Sequence, residues 1–176
     1  MKTRLLSSAL SALGLVGVAA PAVAVEAQLD LSLPEIQGAR VKRPYVAVWL
    51  EKAGSREFAA NLAVWYDMRK PNNIGATKWL PDLRTWWKAS GNSVSFPIDG
   101  VSGATRPPGE HQINLAASDA MKKLPAGSYE VVVEVAREHG GHDLLRLPLQ
   151  WPPRNATKAE AKGEEEVGLV RLSTKP

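Results

Sequence analysis

Cysteine is absent from the 176 residues. That excludes disulfides, thiolate zinc sites, iron–sulfur clusters, thioether-linked haem and thiol nucleophiles before any motif is read. Histidine is scarce, at three residues, which leaves little metal chemistry. Charge of either sign is not in large excess: 22 Lys and Arg face 18 Asp and Glu, too even a balance for a nucleic-acid surface. Aromatic residues are few but unusual in kind, with six Trp against three Tyr and two Phe. Trp buries a large area while its N–H seeks a partner. Any redox chemistry must therefore come from a group the composition does not reveal.

The one stretch poor in charge lies at the start. Lys2 and Arg4 precede an uncharged run from Leu5 to Ala20, followed by Pro21 and the small residues Ala22, Val23 and Ala24. A basic start, a short apolar middle and an Ala-x-Ala end describe a cleavable signal peptide over residues 1–24. The run is too short, and too interrupted by Ser7, Ser8, Ser11 and Gly14, for a permanent span. No later segment reads as a membrane helix. Cleavage removes two basic residues and leaves roughly 150 residues, enough for one domain, with a periplasmic address.

In the mature chain, Leu29, Leu31 and Leu33 alternate with polar residues, the period of a half-buried strand. Residues 25–43 read as this strand and a connector. Tyr45 to Glu51 and Phe58 to Tyr66 read as a hairpin around the Lys-Ala-Gly-Ser turn. From Lys78 to Ser90 the period changes: Trp79, Leu83, Trp86 and Trp87 recur at helical spacing, predicting one short Trp-rich helix that ends at Gly91. Further strands are predicted over Ser93–Pro97, His111–Leu115, Tyr129–Ala136 and Leu145–Trp151, the last at a sheet edge because it carries Pro148. A turn of helix is expected near Ser118–Lys123. Residues 44–151 form the expected core, and 152–176 a charged spacer with a possible final strand over Val167–Leu172. Eight short strands and one helix predict an all-β fold, an antiparallel immunoglobulin-like β-sandwich.

Three segments carry a family resemblance: RPYVAVWLEK at Arg43–Lys52, KWLPDLRTWW at Lys78–Trp87, and YEVVVEVAREHGG followed by LLRLPLQWP. They resemble the predicted periplasmic proteins grouped as domain of unknown function 2271, over nearly all of the mature chain. A second resemblance is local. Asp99-Gly100-Val101-Ser102-Gly103-Ala104-Thr105 is similar to the D-G-x-S/T-G-A-T motif that extracytoplasmic FMN transferases modify. The resemblance implies that Thr105 is the attachment site for covalent FMN and that Asp99, Gly100, Ser102, Gly103 and Ala104 are the recognition sequence. It also implies an FAD:protein FMN transferase as partner and a membrane-bound electron donor. The residue types suit the chemistry, since a hydroxyl that enters another enzyme's active site needs a slim and permissive backbone around it. The motif departs from its relatives after Thr105, where Arg106, Pro107, Pro108 and Gly109 replace small or apolar residues. Asp-Gly and Ser-Gly are also ordinary turn residues.

Between Met68 and Arg106 stand six basic residues and two acids, interleaved with Trp65, Trp79, Trp86 and Trp87. Such a region suits a ligand with a phosphate and a flat ring, with Arg106, Trp86 and Trp87 as candidate contacts. His139 and His142 flank Gly140 and Gly141 and are weak candidates for a metal site; no metal is expected from so few ligands. Gly100-Val101-Ser102 starts like a nucleophile elbow, but Gly103 arrives one place early. The expectation is thus an exported flavoprotein that relays electrons in an extracytoplasmic redox system, an electron carrier and transferase substrate rather than a catalyst. The alternative is a cofactor-free periplasmic binding or accessory module that uses a basic, Trp-rich face.

Overall fold

The computed structural model describes residues 25–37 and 42–176. The predicted signal peptide lies outside the described residues. The described residues form nine strands: β1 (Glu26–Leu33), β2 (Tyr45–Lys52), β3 (Phe58–Tyr66), β4 (Ser102–Ala104), β5 (Gly109–Asn114), β6 (Gly127–Ala136), β7 (His142–Trp151), β8 (Thr157–Lys162) and β9 (Leu169–Lys175). Three short helices join them: α1 (Ile74–Trp79), α2 (Arg84–Ala89) and α3 (Asp119–Lys123). Among the described residues no helix is long and apolar enough to cross a membrane.

The strands build two packed sheets, the all-β sandwich expected from the alternation. One sheet has the order β5-β1-β9-β8, and the other β4-β3-β2-β6-β7. Every pair is antiparallel except β3 with β4. The parallel exception follows from connectivity. After Tyr66 the chain crosses back through α1 and α2 before β4 begins, and only such a crossover can return a strand in the same direction. Leu29, Leu31, Val46, Val48, Val131, Val133, Leu147 and Leu172 fill the space between the sheets. A second core lies on the outer face of the larger sheet, where Ala76, Leu80, Leu83 and Trp86 cover Tyr45, Ala47, Trp49, Val64, Tyr66 and Val132. This second layer is why β2 is buried on both faces.

The helix predicted over Lys78–Ser90 is broken. A 3-10 turn at Leu80–Asp82 separates α1 from α2, because Pro81 has no N–H to donate and Leu83 takes non-helical angles (φ −78, ψ 73). The second helix restarts on a carboxylate: Glu134, fully buried on β6, accepts the N–H groups of Thr85 at 3.0 Å and Trp86 at 2.8 Å. The predicted strand at Ser93–Pro97 is replaced by a 3-10 turn at Gly91–Ser93 and an irregular run, in which Phe96 packs against the rings of Tyr66, Trp86 and Trp87. β7 lies at the sheet edge, as Pro148 requires.

The largest correction concerns the ends of the chain. The predicted spacer contains β8, and the final strand is internal, paired with β1 on one side and β8 on the other. Residues outside 44–151 therefore supply β1, β8 and β9, three strands of the four-stranded sheet.

Candidate functional site

The Asp99–Thr105 segment is part loop and part edge strand. Ile98 C=O accepts the N–H of Val101 at 3.2 Å and of Ser102 at 2.9 Å, closing a tight turn with Asp99 and Gly100 at its tip. Gly100 has φ +65, a left-handed conformation in which an L side chain is strained. Ser102 Oγ accepts the Ile98 N–H at 2.9 Å and locks the turn. β4 then runs beside β3, with Gly103 opposite Trp65. A Cβ on Gly103 would stand 3.2 Å from Trp65 Cδ1, so glycine lets the strand lie on the indole edge. The Thr105 N–H ends the pairing on Tyr66 C=O at 3.1 Å.

The segment thus divides in two. Gly100, Ser102 and Gly103 each have a role in folding. Asp99 and Ala104 are exposed and Thr105 is half-buried, and no side-chain hydrogen bond from a described residue engages the Asp99 carboxylate or the Thr105 hydroxyl. Gly100→Ala is accordingly expected to lower stability by about 1 kcal/mol, read from a urea unfolding midpoint.

Thr105 lines a cavity of about 450 Å³ together with Lys42, Arg43, Tyr45, Asp67, Arg69, Lys70, Trp79 and Glu138. Four cations face two carboxylates there. Arg43 Nη1 donates to Thr105 C=O at 3.4 Å. Arg69 Nε donates to Asp67 at 3.0 Å, and this bond holds the Asp67 carboxyl below its ordinary value. Burial, with Glu138, Asp67 and Asp82 nearby, pushes the Tyr45 phenol up to about 12, so it keeps its proton at neutral pH. Trp79 is half-buried, with the Lys78 ammonium 4.5 Å from its ring centroid. The strand order assembles this cluster: Lys42 and Arg43 precede β2, Arg69 and Lys70 follow β3, and the Val46–Trp65 pairing brings those two ends together.

The remaining candidates are elsewhere. Trp86 is fully buried, its indole N–H donating to Asn61 Oδ1 at 2.7 Å, and Trp87 is stacked on Phe96. Neither lines the Thr105 cavity; Trp79 holds that place. Arg106 lies over the Trp65 ring at 5.1 Å and borders a different cavity, of about 390 Å³, along Gly100–Gly103. His142 Nε2 is 2.6 Å from Glu134, whereas His139 projects beside Glu138 at 3.8 Å, so the two imidazoles serve different carboxylates. Among the described residues no three His, Asp or Glu side chains are placed to hold one metal ion. Lys42, Arg43, Tyr45 and Glu138 are site residues that the sequence reading passed over. The signal available was the pair of basic doublets, Lys42-Arg43 and Arg69-Lys70, at adjacent ends of a predicted hairpin.

No curated protein and no solved structure matches this chain. The model of a family described as predicted periplasmic protein (DUF2271) matches residues 26–169, which spans the sandwich from β1 to the first residue of β9. A periplasmic location agrees with the exported start read from the sequence. The chain belongs to the DUF2271 family of predicted periplasmic proteins.

Proposed function

We propose that this protein is a periplasmic electron carrier with FMN attached covalently to Thr105. The observation that carries this reading is the Thr105 hydroxyl: it has no partner among the described residues and stands on the wall of a basic cavity that includes an indole. The division of the Asp99–Thr105 segment supports it. Turn formation accounts for Gly100 and Ser102 and strand packing on Trp65 for Gly103, but neither gives a reason for Asp99, Ala104 and Thr105, the residues that complete the similarity to the flavinylation motif.

In the attachment step the Thr105 Oγ attacks the FMN-side phosphorus of FAD. An O–P bond forms, the pyrophosphate P–O bond breaks, AMP leaves, and the hydroxyl proton passes to a base in the transferase. The residues around Thr105 fit the product. Lys42, Arg43, Arg69 and Lys70 offset the negative charge of the phosphodiester, and charge-assisted bonds from such groups are the stronger class. The Tyr45 O–H remains a donor, and Trp79 offers an apolar wall. Bound FMN supplies reversible uptake of electrons, which this Cys-free chain cannot provide from its own side chains. A membrane-bound donor and a periplasmic acceptor complete the relay.

The test is export of the full chain with an FAD:protein FMN transferase, followed by intact mass and flavin fluorescence of the denatured protein. Wild type is expected to gain the mass of one FMN residue, and Thr105→Val none. Asp99→Ala is expected to melt within about 2 °C of wild type, because its side chain has no structural partner, yet to lose most of its flavin. An unmodified wild-type chain beside a transferase active on its own substrate overturns the proposal. Anion binding that persists in that unmodified chain would favour the cofactor-free binding module.

A further inference from the structure

Among the described residues three large apolar side chains are exposed: Met68 (43%), Ile74 (45%) and Leu169 (39%). Two of them share one turn. Gly75, in the first turn of α1, lies so close to the end of β3 that a Cβ there would stand 2.1 Å from the Asp67 carbonyl oxygen. That contact closes residues 67–75 on themselves and holds the Met68 and Ile74 positions at the same closure, each one residue from it. The Arg69–Asp67 bond staples the turn, and Asn72 completes it with left-handed angles (φ 52, ψ 31), which Asn accepts.

The charges of the turn have one sign. Residues 68–78 contain Arg69, Lys70 and Lys78 and no acid, and the Arg69 side chain is 87% exposed. Lys78 follows Ile74 by four residues in α1 and so shares its helix face, with its ammonium 4.5 Å from the ring centroid of half-buried Trp79. Three carboxylates border the patch: Asp67 is taken by Arg69, Glu138 lines the Thr105 cavity, and Asp82 follows α1. Lys70 and Lys78 have no carboxylate partner among the described residues. Cations alone would suit an acidic protein. Apolar side chains set among them suit a phospholipid surface, where Met and Ile enter the acyl boundary, Lys and Arg meet headgroup phosphates, and an indole rests at headgroup level.

We infer that residues 67–79 form a docking surface for a bilayer with negatively charged headgroups, with Met68 and Ile74 inserted and Arg69, Lys70 and Lys78 on the phosphates. The periplasmic location of the family places the chain beside such a surface. Two inserted side chains and three cations give weak, reversible and salt-sensitive binding. This docking needs no flavin. Arg69, Lys70 and Trp79 also line the Thr105 cavity, so a docked chain holds that cavity next to the membrane.

The experiment is cosedimentation of the exported full chain, made without a transferase, with vesicles of equal parts phosphatidylglycerol and phosphatidylcholine. Binding is expected at low ionic strength, fading as salt rises and absent from phosphatidylcholine alone. Met68→Ser combined with Ile74→Ser, and separately Lys78→Glu, should each weaken it about tenfold. Both variants should melt as wild type does, since all three side chains are exposed. None of the three lines the Thr105 cavity, so flavin uptake remains a separate readout. Brominated acyl chains should quench part of the Trp fluorescence of the bound wild type, and Trp79→Phe should lose that part. A wild type that ignores the vesicles, or binding that both variants retain, overturns this inference and leaves the proposed function intact. Retention on poly-glutamate but not on vesicles would assign the turn to an acidic protein, and a dimer split by Met68→Ser would assign it to a second copy; either result overturns it as well.

Discussion

Trp86→Ala is expected to destabilise the protein by about 4–5 kcal/mol, lowering the melting temperature by roughly 10–15 °C. Trp86 is fully buried in the outer core. Its deletion opens a cavity beneath α2 that the short helix cannot collapse to fill, and it leaves Asn61 Oδ1 without the indole donor now 2.7 Å away. Gly91 adds a constraint from outside, since even a Cβ there would stand 2.7 Å from Trp86 Cζ3. Trp87→Ala is expected to cost less, about 1–2 kcal/mol, because Trp87 is only half-buried and loses chiefly its stacking on Phe96. Thermal melts of the two variants side by side measure the contrast. Equal and small losses would show that the Trp86 site is not the packed core described. Because neither indole borders the Thr105 cavity, the proposed function predicts the same FMN uptake in both variants as in wild type at temperatures where they remain folded.

That contrast marks a limit of reading periodicity. Spacing correctly placed a Trp stripe against the sheet, but adjacent indoles in one sequence run can have different fates. Burial of Trp86 depends on Asn61 and Glu134, both remote in sequence, and on the close approach of Gly91. β1, β2 and β6 were legible because at least one face of each meets a core, and β2 and β6 meet a core on both. β8 was not: in Thr157–Lys162 the inward residues are only Ala159 and Ala161, and Lys and Glu occupy much of the rest. An edge strand resists association with other chains through such charges, and the same charges resemble those of a solvated linker. The break between α1 and α2 was visible in Pro81, though the spacing of the tryptophans outweighed it.

The site was legible in a different proportion. Its seven-residue motif lies in one stretch of sequence, so residue identities were enough to single out Thr105. The cavity beside it draws on the connector before β2, the end of β3, α1 and the β6–β7 loop. Net charge over a sequence window could not find that grouping: Arg84, Lys88 and Arg106 fell inside the basic window yet outside the cavity, while Lys42 and Arg43 did the reverse. Strand register is the missing variable. Once β2 and β3 pair as Val46 with Trp65, the two basic doublets must meet.

Asp143→Ala is expected to cost about 3–5 kcal/mol at neutral pH. Asp143, nearly buried on β7, accepts four consecutive backbone N–H groups, from Glu164 at 3.0 Å, Glu165 at 3.0 Å, Glu166 at 2.6 Å and Val167 at 3.0 Å. The β8–β9 loop thus wraps its amides around one carboxylate, although three of its own residues are Glu. Gly163 permits the close turn, since a Cβ there would stand 2.3 Å from the Val167 oxygen. Asp143→Asn should restore little, because one amide NH₂ would face donors rather than acceptors. Burial raises the Asp143 pKa, but the four backbone donors outweigh it and hold the carboxyl below its ordinary value. The group therefore binds protons less readily folded than unfolded. Its stabilisation is complete above about pH 4 and is lost as the pH falls through the folded value. Urea midpoints at pH 7 and pH 3 give the check: the wild type should lose more stability on acidification than Asp143→Ala does. A variant within 1 kcal/mol of wild type at pH 7, or one with the full wild-type acid response, would contradict this account. The same loop places Glu166 against Arg137. Loosening it should therefore also weaken that buried ion pair.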